Sequence, residues 1–337
     1  MKIAILAPVA WRTPPRHYGP WEQMASNLAE GLVAKGLDVT LFATADSVTS
    51  GHLSAICDKG YEEDRDADAK VNECMHISYL MEQAREFDVI HNHFDFLPLT
   101  YSRLIKTPMV TTIHGFSSPK ILPVYQRYND RCSYVSISNA DRHSSLHYAA
   151  TIYNGIQQAD FAFEPAPDDY LLYYGRIHPD KGTYESIQIA LHTKRRLIIA
   201  GIIQDEAYYL EKVKPYIDEE QIRYIGAVGG RQRSDLLGKA QALLHPILFN
   251  EPFGLSVAEA MQCGTPVIAF NKGAMPELIV DRRTGFLVND VHEAATAVED
   301  LPLIKRLDCH LHASNTFSAE KMVEKYLSLY EQIAVNH

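Results

Sequence analysis

No stretch of the sequence reaches the ~20 consecutive apolar residues that a membrane-crossing helix needs, so the chain is expected not to span a bilayer. Contact with a membrane surface stays open, although no basic amphipathic helix stands out to anchor it. Cysteine is sparse: Cys57, Cys74, Cys132, Cys263 and Cys309 are odd in number, widely spaced and never in C-x-x-C. Neither a disulfide framework nor a zinc site is supported, and a reducing, cytoplasmic setting fits best. Cations are in deficit, 32 Lys plus Arg against 42 Asp plus Glu for a net charge of -10, which is the wrong sign for a nucleic-acid partner. The glycine fingerprint G-x-G-x-x-G is missing from the first loop, which argues against a dinucleotide-dependent enzyme.

What is present describes an ordinary folded protein, 46% hydrophobic and 22% charged over 337 residues, a length that suggests about two domains. The opening MKIAILAPVAW joins a lysine to a short apolar run but meets Arg12 and Arg16 without a cleavage motif. It reads as a first buried strand rather than a signal peptide.

Short β-branched runs recur between longer helical patterns at 2–8, 38–45, 87–94, 109–115 and 134–138. The rhythm restarts at 171–177, 195–201, 222–228, 242–247, 266–270 and 285–288. Strands alternating with helices mean a parallel sheet covered on both faces. Two such series predict an α/β protein of two Rossmann-like domains, 1–156 and 157–317, facing each other across a cleft. The linker falls at Asn154-Gly155-Ile156 and the polar, proline-bearing stretch after it. A terminal helix over about 318–337 carries Met322, Val323, Tyr326, Leu327 and Tyr330 on one face.

Ligands of open parallel sheets bind beyond the carboxyl ends of the strands. There lies EPFGLSVAEAMQCGTPVIAF, residues 251–270, where Phe253, Val257, Ala260 and Met261 repeat at helical spacing and Cys263-Gly264 closes the helix. Free amides at its start, with Gly254 allowing close approach, suit a phosphate or sugar oxygens. From Phe253 to Glu259 the rise is roughly 9 Å, comparable to a diphosphate. Glu251 and Glu259 could each accept from two hydroxyls, one from a sugar and one from a ribose; alternatively Glu251 caps the helix and Glu259 is solvated. In GRIHPDKG, residues 175–182, Arg176 and Lys181 could compensate a diphosphate, or be plain surface charges.

The loop PPRHYGPWEQ, residues 14–23, offers Gly19 for an anion at a helix start, and Tyr18 and Trp21 as ring-stacking aromatics, with core packing the alternative for Trp21 and for the nearby Trp11. His114, at the end of MVTTIHG, could bond a sugar hydroxyl or move a proton, or be structural. His93 and Asp95 end the strand at 87–94 and are candidates for acceptor contact, with a structural role as the alternative. His91-Asn92-His93 spells a nuclease-like HNH, but alternation puts Asn92 on the opposite face and no metal pattern follows. The D-x-D spacings of Asp64, Asp66 and Asp68 lie in a hydrophilic stretch and predict a solvated loop without metal.

The order YGPWE, IHG, NGI, GRIHPDKG, EPFGLSVAE, AMQCGTPVIA and TGFLV resembles the retaining glycosyltransferases of family 4, with the GT-B fold, over nearly the whole chain. The resemblance implies that Glu259 holds the donor ribose and Glu251 the transferred sugar. Phe253, Gly254 and Leu255 offer that sugar backbone contacts, Arg176 and Lys181 grip the diphosphate, Gly19 lies beside it, and His114 touches the sugar. It places acceptor binding in the first domain, with Tyr18, Trp21, His93 and Asp95 as candidate contacts, and donor binding in the second, with the terminal helix packing back on the first. The implied reaction moves a hexose from a nucleotide diphosphate sugar, UDP-glucose first and GDP-mannose next, to a saccharide or lipid-linked acceptor. Anomeric configuration is retained, and neither metal nor cofactor is required. Family members often read YGG-x-E where this chain has Pro20 and Trp21; the proline removes an amide donor and stiffens the loop. A sugar-nucleotide epimerase, a phosphorylase and a non-catalytic sugar-nucleotide module are the other classes these residues admit.

Overall fold

The structure is a computed structural model that describes residues 1–16, 18–116 and 118–335. His17 of the first loop and residues 336–337 of the expected terminal helix lie outside the described residues. The chain divides into two compact units, one built from Met1–Gly155 together with the residues from Ala319 onward, the other from Ile156–Ser318.

The first unit holds β1 (Lys2–Leu6), α1 (Pro20–Ala34), β2 (Asp38–Phe42), β3 (His52–Ser54), α2 (Ala69–Glu82), β4 (Val89–Asn92), β5 (Met109–Ile113), α3 (Leu122–Arg127), β6 (Cys132–Ser136) and β7 (Tyr148–Thr151). Its seven strands pair in the order β3-β2-β1-β4-β5-β6-β7, and every pairing is parallel. The pleat sorts β1 between two cores, because successive side chains point to opposite faces. Ile3 and Ile5 join Val39 and Leu41 under Leu28 and Leu32 of α1. Ala4 and Leu6 join Phe42 under Ile77 and Leu80 of α2. Each such fully buried aliphatic side chain contributes about 1.5–3 kcal/mol.

The second unit holds β8 (Leu171–Tyr174), α4 (Thr183–Thr193), β9 (Leu197–Ala200), α5 (Glu206–Tyr208), β10 (Ile222–Tyr224), α6 (Gly230–Lys239), β11 (Ala242–His245), α7 (Leu255–Gln262), β12 (Val267–Phe270), α8 (Met275–Leu278), β13 (Gly285–Val288), α9 (Val291–Glu299) and α10 (Arg306–Thr316). Its sheet runs β10-β9-β8-β11-β12-β13, again parallel throughout. The chain then returns to the first unit as α11 (Ala319–Val335). Met322, Val323, Tyr326 and Tyr330 of this helix enter the core shared by β1 and α1.

Each unit is thus a doubly covered parallel sheet, and each apolar run singled out above overlaps a strand. Two strands carry no such run: β3 and β7 sit at the sheet edges, β3 mostly exposed and β7 half-buried. With little to bury, their sequences HLS and YAAT show no apolar signature.

Candidate active site

In the second unit the loop after β8 carries Arg176 and Lys181 at the carboxyl end of the sheet. The Tyr173 hydroxyl donates to the Arg176 carbonyl at 2.7 Å and folds the loop back on the strand. The Arg176 guanidinium donates to Gln204 at 2.5 Å. Lys181 is followed by Gly182 in the left-handed region, φ 73°, where an added Cβ would stand 2.0 Å from the Pro246 carbonyl oxygen. Close contact of this loop with the segment after β11 therefore depends on glycine, and it brings the Lys181 ammonium 2.5 Å from Glu251 Oε2. The two side chains are only 16% and 14% exposed, and the ammonium also lies 4.6 Å from the centre of the Phe249 ring. His245, buried beside this pair, is pushed down to about 4 by burial, with Glu251 opposing, so it is a neutral imidazole at pH 7. Its Nε2 has no hydrogen-bond partner among the described residues.

The segment from Glu251 to Glu259 differs in one respect from its sequence reading. Helical geometry starts at Leu255, because Gly254 turns left-handed at φ 99° and breaks the backbone there. Phe253 is therefore outside the helix, buried edge-on against Phe317 with ring centres 5.8 Å apart. The rise estimated from Phe253 applies only from Leu255 onward, about 6 Å to Glu259. Leu255 is half-buried at the first helical position.

Glu259 is not solvated: it is 7% exposed. Its Oε1 lies 3.5 Å from a guanidinium nitrogen of Arg233 on α6. Burial pushes this carboxyl up, opposed by Arg233 and reinforced by Asp160. Both carboxylates of the segment thus face a cation, Lys181 for Glu251 and Arg233 for Glu259.

In the first unit Gly19 is the residue before α1, at φ 151°, and a Cβ there would stand 2.9 Å from both Glu22 Oε2 and Pro15. Tyr18 and Trp21 are half-buried, and Trp21 stacks on His114 with ring centres 5.6 Å apart. His114 Nε2 and His93 Nδ1 share a hydrogen bond of 2.9 Å. Burial pushes His114 down to about 3 and His93 well below the usual imidazole range, so both are neutral at pH 7. Asp95, half-buried at φ 101°, accepts from the Tyr125 hydroxyl at 2.5 Å. The structure thus joins Trp21, His93 and His114 into one cluster, while Asp95 is engaged with α3.

Glu22, 3% exposed, accepts from the Trp11 amide at 3.3 Å, and burial pushes it from 4.5 up to about 7. The folded state therefore holds this proton more tightly than the unfolded chain does. Stability is expected to fall as pH rises from about 4.5 to 7, by about 3 kcal/mol in total, and to carry that cost above it. Glu22→Gln should match wild type near pH 4 and exceed it by about this amount at pH 8. Urea denaturation of both proteins at the two pH values measures the difference; equal stability at pH 8 would contradict an ionisation buried at that site.

Two sets of contacts had no sequence signal. Arg233 sits in the polar stretch GGRQRSDLLGK, and nothing in its spacing points to Glu259. His91 Nδ1 meets the Tyr330 hydroxyl at 2.5 Å, and its Nε2 meets Thr112 at 2.7 Å. Thr112 in turn meets the Tyr326 hydroxyl at 2.6 Å, so α11 is tied into the sheet beneath the His93–His114 pair. The D-x-D stretch serves its own backbone: Asp68 caps α2 by accepting from the Val71 amide, and Asp64 accepts from the Asp66 amide. Among the described residues no group of three or more His, Cys, Asp or Glu could hold a metal ion. No helix among them is long and apolar enough to cross a membrane.

The sequence pattern described as "Glycosyltransferase Family 4" matches residues 22–157, and that described as "Glycosyl transferases group 1" matches residues 157–308. Glycogen synthase of Mycobacterium tuberculosis is 25% identical over 353 residues, covering 87% of this chain and 84% of the synthase. Sucrose-phosphate synthase from Thermosynechococcus elongatus superposes with a TM-score of 0.81 at 18% identity over the full length of both chains. Anabaena HepE, solved in complex with UDP, superposes with a TM-score of 0.76 at 19% identity, over 98% of this chain and 100% of HepE. It has also been solved with UDP-glucose.

Proposed function

Since the chain belongs to the family 4 glycosyltransferases and has their GT-B fold of two Rossmann-like domains, we propose that it transfers a hexose with retained configuration. The donor is a nucleotide diphosphate sugar, UDP-glucose first and GDP-mannose next, and the acceptor a saccharide or lipid-linked precursor in polysaccharide or glycoconjugate biosynthesis. One observation carries this reading. At the carboxyl end of one parallel sheet, Lys181 and Arg233 each face one of the carboxylates Glu251 and Glu259. Such a set can receive a donor: Lys181 can exchange its ion pair with Glu251 for the diphosphate, and both carboxylates can accept from hydroxyls.

In this reading Glu259 accepts from the ribose and Glu251 from the transferred hexose. Arg176 and Lys181 neutralise the diphosphate, the backbone at Phe253, Gly254 and Leu255 contacts the sugar, and Gly19 lies beside the phosphates. His114 contacts the sugar as a neutral imidazole. Tyr18, Trp21, His93 and Asp95, on the first domain, are the acceptor-side candidates. The bond from the anomeric carbon to the phosphate oxygen breaks as the acceptor oxygen bonds the same face of that carbon. The acceptor's proton passes to the leaving phosphate, so no protein nucleophile is needed. Catalysis rests on positioning and on stabilising the leaving diphosphate. The structural neighbour HepE, solved with UDP and with UDP-glucose, supports this choice of donor.

A thermal-shift titration against UDP, GDP and ADP, with and without divalent metal, tests the donor. A ligand that binds only the folded state stabilises it by about 2.7 kcal/mol at 100 times its dissociation constant. A metal-independent shift with one base is the expected result, followed by glycoside product with the matching sugar conjugate and an acceptor. Release of sugar only with free phosphate would replace the reading with a phosphorylase.

A further inference from the structure

Arg233 has no assigned part in the reaction above, yet its surroundings are built around Glu259. It rises from the first turn of α6, and its guanidinium carbon lies 5.0 Å from the centre of the Phe161 ring, which fixes the plane of the group. Tyr174, at the end of β8, interacts with the same guanidinium. The Arg233 Nε is buried and makes no hydrogen bond among the described residues, so the side chain forgoes a donor to hold this position. Its one ion pair among the described residues is with Glu259, 3.5 Å to one oxygen of a side chain that is 9% exposed. Neither oxygen of Glu259 accepts a hydrogen bond from any described residue. A carboxylate offers about four lone-pair sites, and one guanidinium contact leaves enough for both hydroxyls of a vicinal diol.

We propose that Arg233 is a positioning residue for nucleotide recognition: it fixes and keeps ionised the Glu259 carboxylate so that this group can accept both ribose hydroxyls. The inference rests on the assignment of Glu259 to the ribose. A protonated carboxyl would give up one of these acceptor sites and present a donor to the diol instead. The groups that face Glu259 are Arg233 from α6, Asp160 from the loop after β7, Tyr174 from β8 and Cys263 at the end of its own helix. Of these only Arg233 carries positive charge, and burial and Asp160 both act against ionisation. Removing Arg233 therefore raises the carboxyl further and makes it easier to protonate as pH falls.

The test is calorimetric titration of wild type, Arg233→Met and Arg233→Lys with whichever of UDP, GDP and ADP wild type binds most tightly. Each protein is titrated at pH 8 and pH 6, and also with the 2′-deoxy analogue of that nucleotide. Comparing variant with wild type at each pH cancels the titration of the phosphate itself. Arg233→Met should bind about 10-fold more weakly at pH 8, the scale of one charge-assisted contact. The deficit should widen at pH 6, and the preference for ribose over deoxyribose should shrink. Arg233→Lys, which keeps the charge without the planar fork, should recover the pH 6 behaviour but only part of the affinity. It also serves if the methionine variant fails to fold. Equal or tighter binding by Arg233→Met, or an unchanged deoxyribose preference, overturns the proposal, because the arginine would then be an occupant of the site and not its support. No nucleotide binding by wild type would instead overturn the ribose assignment itself, a failure separable from that of Arg233.

Discussion

Lys181→Ala is expected to lower kcat/KM by about 10²–10³-fold, close to 3 kcal/mol of transition-state stabilisation, by analogy with removal of a single oxyanion donor. In the reaction proposed here the negative charge that develops in the transition state lies on the departing diphosphate, opposite the positive charge building at the anomeric carbon. Lys181 is the better shielded of the two cations on its loop, at 16% side-chain exposure. Its charge is therefore less screened than that of a surface lysine. The substitution also strips Glu251 of its 2.5 Å partner, leaving a carboxylate of 14% exposure uncompensated beside a neutral His245. Loss of the anion contact and misplacement of the sugar-binding carboxylate should both fall on turnover. Lys181→Arg restores the charge but not the compact point-like shape, and partial recovery is expected. Arg176→Ala should show a loss of the same kind. Steady-state kinetics with circular dichroism as a check on folding decides the matter. Unchanged turnover in both alanine variants, with the fold intact, would remove this loop from the mechanism.

Gly182→Ala should be a strongly damaging conservative change at the site. Its φ of 73° costs an L residue roughly 1–2 kcal/mol. The new methyl would stand 2.0 Å from the Pro246 carbonyl oxygen, so the backbone must move. Overpacking of this kind typically costs about 1–3 kcal/mol more. A total of about 3 kcal/mol corresponds to a drop of roughly 6–12 °C in the unfolding midpoint for a unit of this size. Gly36→Ala is the internal control: its φ is 81°, yet no atom lies within 4 Å of the added methyl. It should show only the conformational cost, about 1 kcal/mol. Similar midpoints for the two variants would mean that the close approach of the two loops is not what Gly182 is needed for.

The parallel sheets were legible because strands buried on both faces must be apolar without interruption, as in KIAIL and VIAF. Loop residues at the ends of those strands could be picked out for the same reason. Lys181 and Glu251 were each visible as unusual charges, but their pairing was not, since it depends on Gly182 bringing two distant loops together. Phe253 was misread as helical because helical periodicity cannot register a left-handed glycine between an apolar residue and the helix that follows. Arg233 and the contacts of Tyr326 and Tyr330 with Thr112 and His91 left no trace at all. They join segments far apart in the chain, and no local pattern records a partner at that distance.

The return of α11 to the first unit has a consequence for how the protein is made. Tyr330 and His91 touch although 239 positions separate them in the chain. On the ribosome, the α1 face of the first sheet emerges early and waits for its cover while the whole of the second unit is translated. At ~5–20 residues per second this interval is on the order of ten seconds. The second unit is contiguous and needs nothing from later in the message, so it can close first, although it is translated second. For that interval the nascent chain carries an open apolar groove shaped to receive one particular helix. A chain cut short after Ser318 would keep that groove open for good, which makes it a natural client for chaperones and proteases.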